Sequence, residues 1–257
     1  MSSTSLIHGW IDCSQATVGD VASLLYDFHE MHKGKYVSDY NLERYDDSWN
    51  YPTLPSVDYN TITYGASVGS GTVDYLENVF EMLAHSAIEL SGIIFAKLPD
   101  SVYQQWVFAK NEFQMVENDY LKHPPEYAFK WRTRSLSNSG AISDSGCLVR
   151  GWFESKSPGG IRASLIAQLH EKRVLFESDK ERKICEDGWH FSPDLRTLDP
   201  VTFGARIVLS SEAILHNIVK EIVLHEDVYN GLVYISRQDG TGNRWIVNGK
   251  CIHVLDG

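Results

Sequence analysis

The chain has 257 residues, with 34 Asp and Glu against 23 Lys and Arg, a formal charge of −11, and 43% hydrophobic and 12% aromatic residues. That length suits one large domain or two of about 110–130 residues, and the composition excludes a disordered or fibrous chain. The acidic balance excludes broad binding to a nucleic-acid backbone, which needs clustered Lys and Arg, and fits a partner that is itself basic.

The start, Met1 to Leu6, lacks the basic residues and apolar stretch of a signal peptide, and the longest apolar run, 92–96, is too short to span a bilayer. Cys13, Cys147, Cys185 and Cys251 are scattered, with no CxxC pair, and read as buried free thiols in a reducing, cytoplasmic setting. Residues 7–13 then read as a strand, and 18–32, with Val21, Leu24, Leu25 and Phe28 at helical spacing, as an amphipathic helix. A long polar loop, 35–60, holds Trp49, Tyr51 and Pro52. It leads to a strand over 61–68 and a helix that Ser70 or Thr72 would cap, with Val73, Leu76, Phe80 and Leu83 on its apolar face. A strand from Gly92 and a hairpin with arms 106–110 and 112–116 follow.

Residues 119–145, with Pro124-Pro125, Lys130, Trp131, Arg132, Arg134 and a Ser/Asn/Gly-rich end, read as a surface connector. The same order of elements then returns. A strand over 148–155 precedes a helix over 161–174 that carries Leu165, Ile166 and Leu169, and a further strand covers 201–209. The next helix, with Ser210 or Ser211 as its cap, has Ile214, Leu215, Ile218, Val219, Ile222 and Val223 on one face. A strand from Gly231 leads into a hairpin with arms 245–247 and 250–255 around Asn248-Gly249.

Self-comparison explains this return. Leu6-Ile7-His8-Gly9-Trp10-Ile11-Asp12 matches Leu148-Val149-Arg150-Gly151-Trp152-Phe153-Glu154, and residues 65–118 match 204–257 without a gap at a constant shift of 139. Three Trp pairs (Trp10 and Trp152, Trp49 and Trp189, Trp106 and Trp245) and the Gly65–Gly204 pair mark equivalent places. The expected fold is α+β: a tandem duplication of a β-α-β-α-β-β unit, with helices layered on mainly antiparallel sheet and pseudo-two-fold symmetry. The first repeat covers 1–118, the connector 119–145 and the second repeat 146–257. The Trp pairs are expected in the core.

Chemistry is hard to find. HExxH, GxSxG, a Walker loop and zinc-ligand spacing of His and Cys are all missing from the sequence, so no catalytic residue, metal or cofactor is assigned. Gly65 to Gly71, between a strand and a helix, superficially resembles a phosphate-cradling turn, but its counterpart from Gly204 lacks the later glycines. Asp46-Asp47 and Glu186-Asp187 precede the matched Trp in both repeats, which turn formation explains as well as catalysis does.

Charge is the informative quantity. Residues 1–118 hold 5 Lys and Arg against 16 Asp and Glu, whereas 146–257 hold 14 against 15. Two copies of one fold need the same core but not the same surface, so the acidity belongs on exposed faces of the first copy. Candidate partner-binding residues are Asp39, Tyr40, Glu43, Tyr45, Asp46 and Asp47 in the loop, and Asp74, Glu77 and Glu81 on the helix. In such a mixture carboxylates steer a basic partner and aromatic rings anchor it.

The HGW and RGW strand starts, the Trp–Pro loop, the Gly-Ala before the helix and the acidic α+β build resemble the immunity proteins of bacterial polymorphic toxins, in particular the immunity protein 52 group. That resemblance implies a cytoplasmic antitoxin, a monomer or homodimer without catalysis. It would bind one cognate toxin with a restriction-endonuclease-like nuclease domain, often delivered by type VI secretion, and would need no nucleic acid, membrane or cofactor. Two other classes are consistent with the residues. One is an enzyme with a cleft between the repeats, using Asp47, Asp187 and His190. The other is a structural component of a phage or secretion assembly.

Overall fold

The computed structural model describes residues 4–13, 15–35, 39–51, 60–109, 112–120, 146–192, 199–237 and 241–256. The first repeat runs β1 (Thr4–Cys13), α1 (Gln15–His32), α2 (Asp39–Asp46), β2 (Trp49–Asn50), β3 (Asn60–Gly69), α3 (Val73–Ala84), β4 (Ser91–Lys97), β5 (Tyr103–Ala109) and β6 (Glu112–Glu117). The second runs β7 (Gly146–Ser155), α4 (Pro158–Glu171), α5 (Asp179–Asp187), β8 (Trp189–His190), β9 (Val201–Val208), α6 (Leu209–His225), β10 (Val228–Arg237), β11 (Gly242–Asn248) and β12 (Cys251–Asp256). Each repeat builds one six-stranded antiparallel sheet, ordered β2-β3-β1-β4-β5-β6 and β8-β9-β7-β10-β11-β12. Register repeats as well: Trp10 lies opposite Thr63 and Ile93, as Trp152 lies opposite Thr202 and Leu232. The fold is a duplicated, layered α+β structure.

Several local expectations change. The segments read as long polar loops each contain a short helix and a two-residue strand, α2 with β2 and α5 with β8. Ser178 caps α5, its side chain accepting from the Glu181 amide at 3.2 Å. Thr72 makes no side-chain cap bond to α3, neither Ser210 nor Ser211 caps α6, and the side chain of Ser70 lies outside the described residues. The Thr72 hydroxyl bonds the Tyr45 hydroxyl instead, and α6 begins at Leu209, ahead of Ser210 and Ser211, with no side-chain cap. Ile166 is 53% exposed because α4 buries Ile161, Leu165 and Leu169, a narrower face than its apolar content suggests. Among the described residues no helix is long and apolar enough to cross a membrane. Cys13, Cys147 and Cys185 are buried free thiols, as read, but Cys251 is exposed on the edge strand β12.

Strand alternation sorts each sheet's side chains into two faces. On one face Ile7, Ile11, Ile94 and Trp106 pack beneath α1 and α3 with Leu25, Phe28, Leu76, Phe80 and Trp49. The second repeat repeats this with Val149, Phe153, Trp189 and Trp245 under α4 and α6. On the other face Trp10, Ile93 and Phe95 meet Trp152, Leu232 and Tyr234, so the two sheets stack and the helices lie outside them. All ten residues of β7 are therefore buried. Tyr120, at the head of the expected connector, is fully buried in this middle core, in edge contact with Trp152. The rest of that connector, including Trp131, lies outside the described residues.

The pseudo-two-fold axis passes between Thr63 and Thr202, whose hydroxyls are 2.8 Å apart and whose numbers differ by the repeat shift. Gly65 and Gly204 flank it. A Cβ on Gly65 would stand 2.8 Å from the Pro200 carbonyl, and one on Gly204 2.7 Å from the Thr63 methyl. Gly65 thus lies within β3 at the seam between sheets, and no phosphate-cradling turn forms there.

Polar pairs cross the seam. Arg150 donates from Nε and Nη2 to the two carboxylate oxygens of Asp12 at 2.9 and 2.7 Å, with Thr61 donating to the same carboxylate and Ser236 accepting from the guanidinium. Both ions are buried, a geometry in which removing one partner is far more costly than the pair is stabilising. His8 occupies the place in β1 that Arg150 holds in β7. It is fully buried, 3.8 Å from the Trp152 ring centroid, and neither of its ring nitrogens has a hydrogen-bond partner among the described residues. Burial, helped by the nearby Lys97 charge, pushes its pKa well down, so the ring is neutral in the fold.

Replacing Arg150 by Ala is expected to cost about 3–5 kcal/mol in urea denaturation, while Asp12→Asn with Arg150→Met, which removes both charges, recovers part of that loss. For His8 the unfolded chain takes up a proton first as pH falls through about 6.5, while the folded ring resists it. Stability is therefore expected to fall below that pH, by up to about 1.4 kcal/mol per pH unit. His8→Gln should flatten that limb in a comparison of urea midpoints against pH.

Candidate binding face

The outer helix layer of the first repeat carries the charge. α1 turns Val21, Leu25 and Phe28 inward and presents Asp20, Asp27 and Glu30 to solvent. α3 buries Leu76, Val79, Phe80 and Leu83 and presents Asp74 and Glu81, with Glu77 half-buried between them. Glu43 and Asp47 are exposed at α2 and just beyond its end. The α1 carboxylates were not among the candidates, although their spacing off the apolar stripe of Val21, Leu25 and Phe28 already places them outward.

Not every candidate stands on this face. Tyr45 is buried, its hydroxyl 3.2 Å from that of Thr72, so it belongs to the core and not to a contact surface. Asp46 is half-buried, its carboxylate 2.7 Å from Nδ1 of the buried His29. Burial raises its carboxyl to about 6 against the pull of His29, so Asp46 is a partly buried carboxylate set against His29 and not a free surface charge. Asp39 and Tyr40 open α2, and their side chains lie outside the described residues. Glu43, Asp47, Asp74, Glu77 and Glu81 share one outer layer.

The second repeat holds α2 in place. Arg44 donates to the buried Asp199 at 2.7 Å, and the Ser67 amide donates to the same oxygen. The His190 ring hydrogen-bonds the backbone of Asp47, and burial lowers its pKa despite the nearby Asp199 and Asp47 charges. The fold thus brings Asp47 and His190 together across the repeats, while Asp187 closes α5 on the second repeat's own side. Among the described residues no three His, Cys, Asp or Glu side chains are placed to hold a metal ion.

The two helix layers differ in how their charges are matched. In the second repeat Glu212 pairs with Arg237, Arg182 with Asp179 and Glu186, and Glu221 with His225. In the first, the ion pairs among described helix residues join His29 to Asp46, Lys33 to Glu30 and Arg44 to Asp199, and none reaches Asp74, Glu77 or Glu81. Partial burial, with repulsion from Asp74 and Glu81, raises the pKa of Glu77. Beside this row, α1 and α3 border a shallow, open groove of about 380 Å³ lined by Phe28, His32, Asn78, Glu81, Met82 and His85.

Like charges three and four residues apart on a helix cost a few tenths of a kcal/mol. Glu77→Gln is accordingly expected to stabilise the protein by about 0.2–0.5 kcal/mol at neutral pH and low salt, a gain that shrinks in high salt. Thermal unfolding at the two ionic strengths checks both the sign and the salt dependence. The sequence matches no protein-family model, and no curated protein matches it.

Proposed function

We propose that this chain is an immunity-type inhibitor that binds a basic protein through the helix layer of its first repeat. In this reading the partner is a cognate toxin, of the nuclease kind, from a type VI or related secretion system, and the inhibitor acts by covering the toxin's working surface. One observation carries the proposal. Two copies of one fold keep equivalent cores, yet among the described residues α3 carries the unpaired row Asp74, Glu77 and Glu81, where the matching positions of α6 are Ala213, His216 and Lys220.

The physical reasoning is short. Solubility alone asks for no such segregation, and the row on α3 works against the stability of the free protein. A basic partner relieves that repulsion on binding, and the one-sided field raises the rate of encounter before any contact forms. Exposed Tyr26 and Met31 on α1 add apolar contact area within the acidic layer.

The triple variant Glu43→Lys, Asp47→Lys and Asp74→Lys tests this with the protein that co-purifies from the native host. Association is expected to slow at least tenfold at low salt, and the difference to narrow as salt rises. A rate that neither changes in the variant nor responds to salt overturns the proposal.

A further inference from the structure

A strand at the end of a sheet leaves one row of backbone donors and acceptors unpaired, and proteins guard such rows with short strands or charges. Among the described residues three of the four sheet ends are guarded in this way. β2 and β8, at one end of each sheet, are two residues long. β6, at the other end of the first sheet, carries the exposed Glu112 and Glu117. β12 is the exception. It takes the place of β6 in the second repeat, yet has no Asp, Glu, Lys or Arg from Cys251 to Leu255, and Val254 and Leu255 are 48% and 38% exposed.

The pairing of β12 with β11 determines which of its groups are open. The two-residue turn Gly249-Lys250, with Gly249 at φ 56°, closes on the Asn248–Cys251 pair, so Cys251, His253 and Leu255 direct their backbone hydrogen bonds to β11. Ile252 and Val254 direct theirs to the open edge. Lys250 Nζ donates to the Leu224 carbonyl at 2.7 Å and fastens the turn to the end of α6. The order of residues along this edge is self-complementary. Two copies of β12 laid antiparallel about His253 set Ile252 of each opposite Val254 of the other, Cys251 opposite Leu255, and Lys250 opposite Asp256. Branched apolar residues then face one another, and a basic residue faces an acidic one. We infer that β12 is a self-association edge, to which a second copy of this chain adds its own β12, joining the two second-repeat sheets into one. Such an interface is isologous and closes as a dimer. Being narrow, it is of the dissociable kind. The helices of the first repeat lie on the other side of the stack, so the inference does not rest on the binding face proposed above.

Sedimentation velocity of the full chain under reducing conditions tests the dimer, whose share is expected to rise between about 5 and about 200 μM. Val254→Pro removes an outward amide without adding charge and should weaken association at least tenfold while leaving the urea midpoint unchanged. Val254→Thr keeps the amide and the branching and should retain the dimer. Cross-linking tests the register. Directly opposite residues that exchange no hydrogen bonds stand about 4.5 Å apart at Cα, within disulfide reach. Leu255→Cys is therefore expected to join the exposed Cys251 of the second copy on mild oxidation, giving a covalent dimer that Leu255→Cys with Cys251→Ser does not give. A chain monomeric at every concentration overturns the proposal, and loss of the co-purifying protein in Val254→Pro would then give the edge to that protein instead. A dimer indifferent to Val254→Pro, or a covalent dimer that persists without Cys251, overturns it as well.

Discussion

Two sheets can stack over mixed aromatic and charged side chains only where their backbones come close enough to exclude water, and here that approach is made at Gly65 and Gly204. Each stands where a Cβ would collide with the other repeat, beside the Thr63–Thr202 hydrogen bond on the symmetry axis. Around this contact Trp10 meets Tyr234 at 5.2 Å, Trp152 meets Phe95 at 6.1 Å, and Arg150 reaches Asp12. Without it, the middle layer would be a pair of open aromatic surfaces with buried charges left unmatched.

The same seam governs the binding face at a distance. α2 is short and polar, and such a helix has little stability of its own. Its position comes from Tyr45 in the core of the first repeat and from Arg44, which reaches the buried Asp199 of the second. The carboxylates of Glu43 and Asp47 are thus held by a helix that both repeats fix. The acidic face is built on one copy but oriented by two.

Much of the architecture was legible because it rests on repetition. The matched Trp and Gly positions identify equivalent strands without any knowledge of their contacts, and alternating apolar residues place Ile7 and Ile11 on a buried face. What escaped were features in which polar residues do structural work. α5 was hidden in a charged stretch, although Ser178 with Glu181 three residues later is the pattern of a helix start. Tyr45 and Asp46 read as surface residues because they sit among charges, and only three-dimensional packing buries Tyr45 and sets the half-buried Asp46 against His29. Arg150 and Glu154 were unremarkable in sequence, since a strand buried on both faces by a second sheet has no polar side to reveal itself. The row on α3 was visible because helical spacing alone determines which residues share a face. The groove beside it was not, because it depends on how α1 lies against α3.

Covalent fusion of the two repeats has a further result, seen at His8 and Arg150. In a symmetric dimer of single repeats every contact across the axis occurs twice, so a residue favourable on one side must be tolerated on the other. Two arginines at this site would place two guanidinium groups in one buried layer. Joining the copies into one chain removes that constraint, and the seam carries an arginine–aspartate pair on one side and a neutral imidazole against an indole on the other. The freedom that lets the interior become asymmetric also lets the exterior do so. One half can specialise its surface while the other remains a scaffold, an arrangement closed to a homodimer, in which both faces are the same gene product.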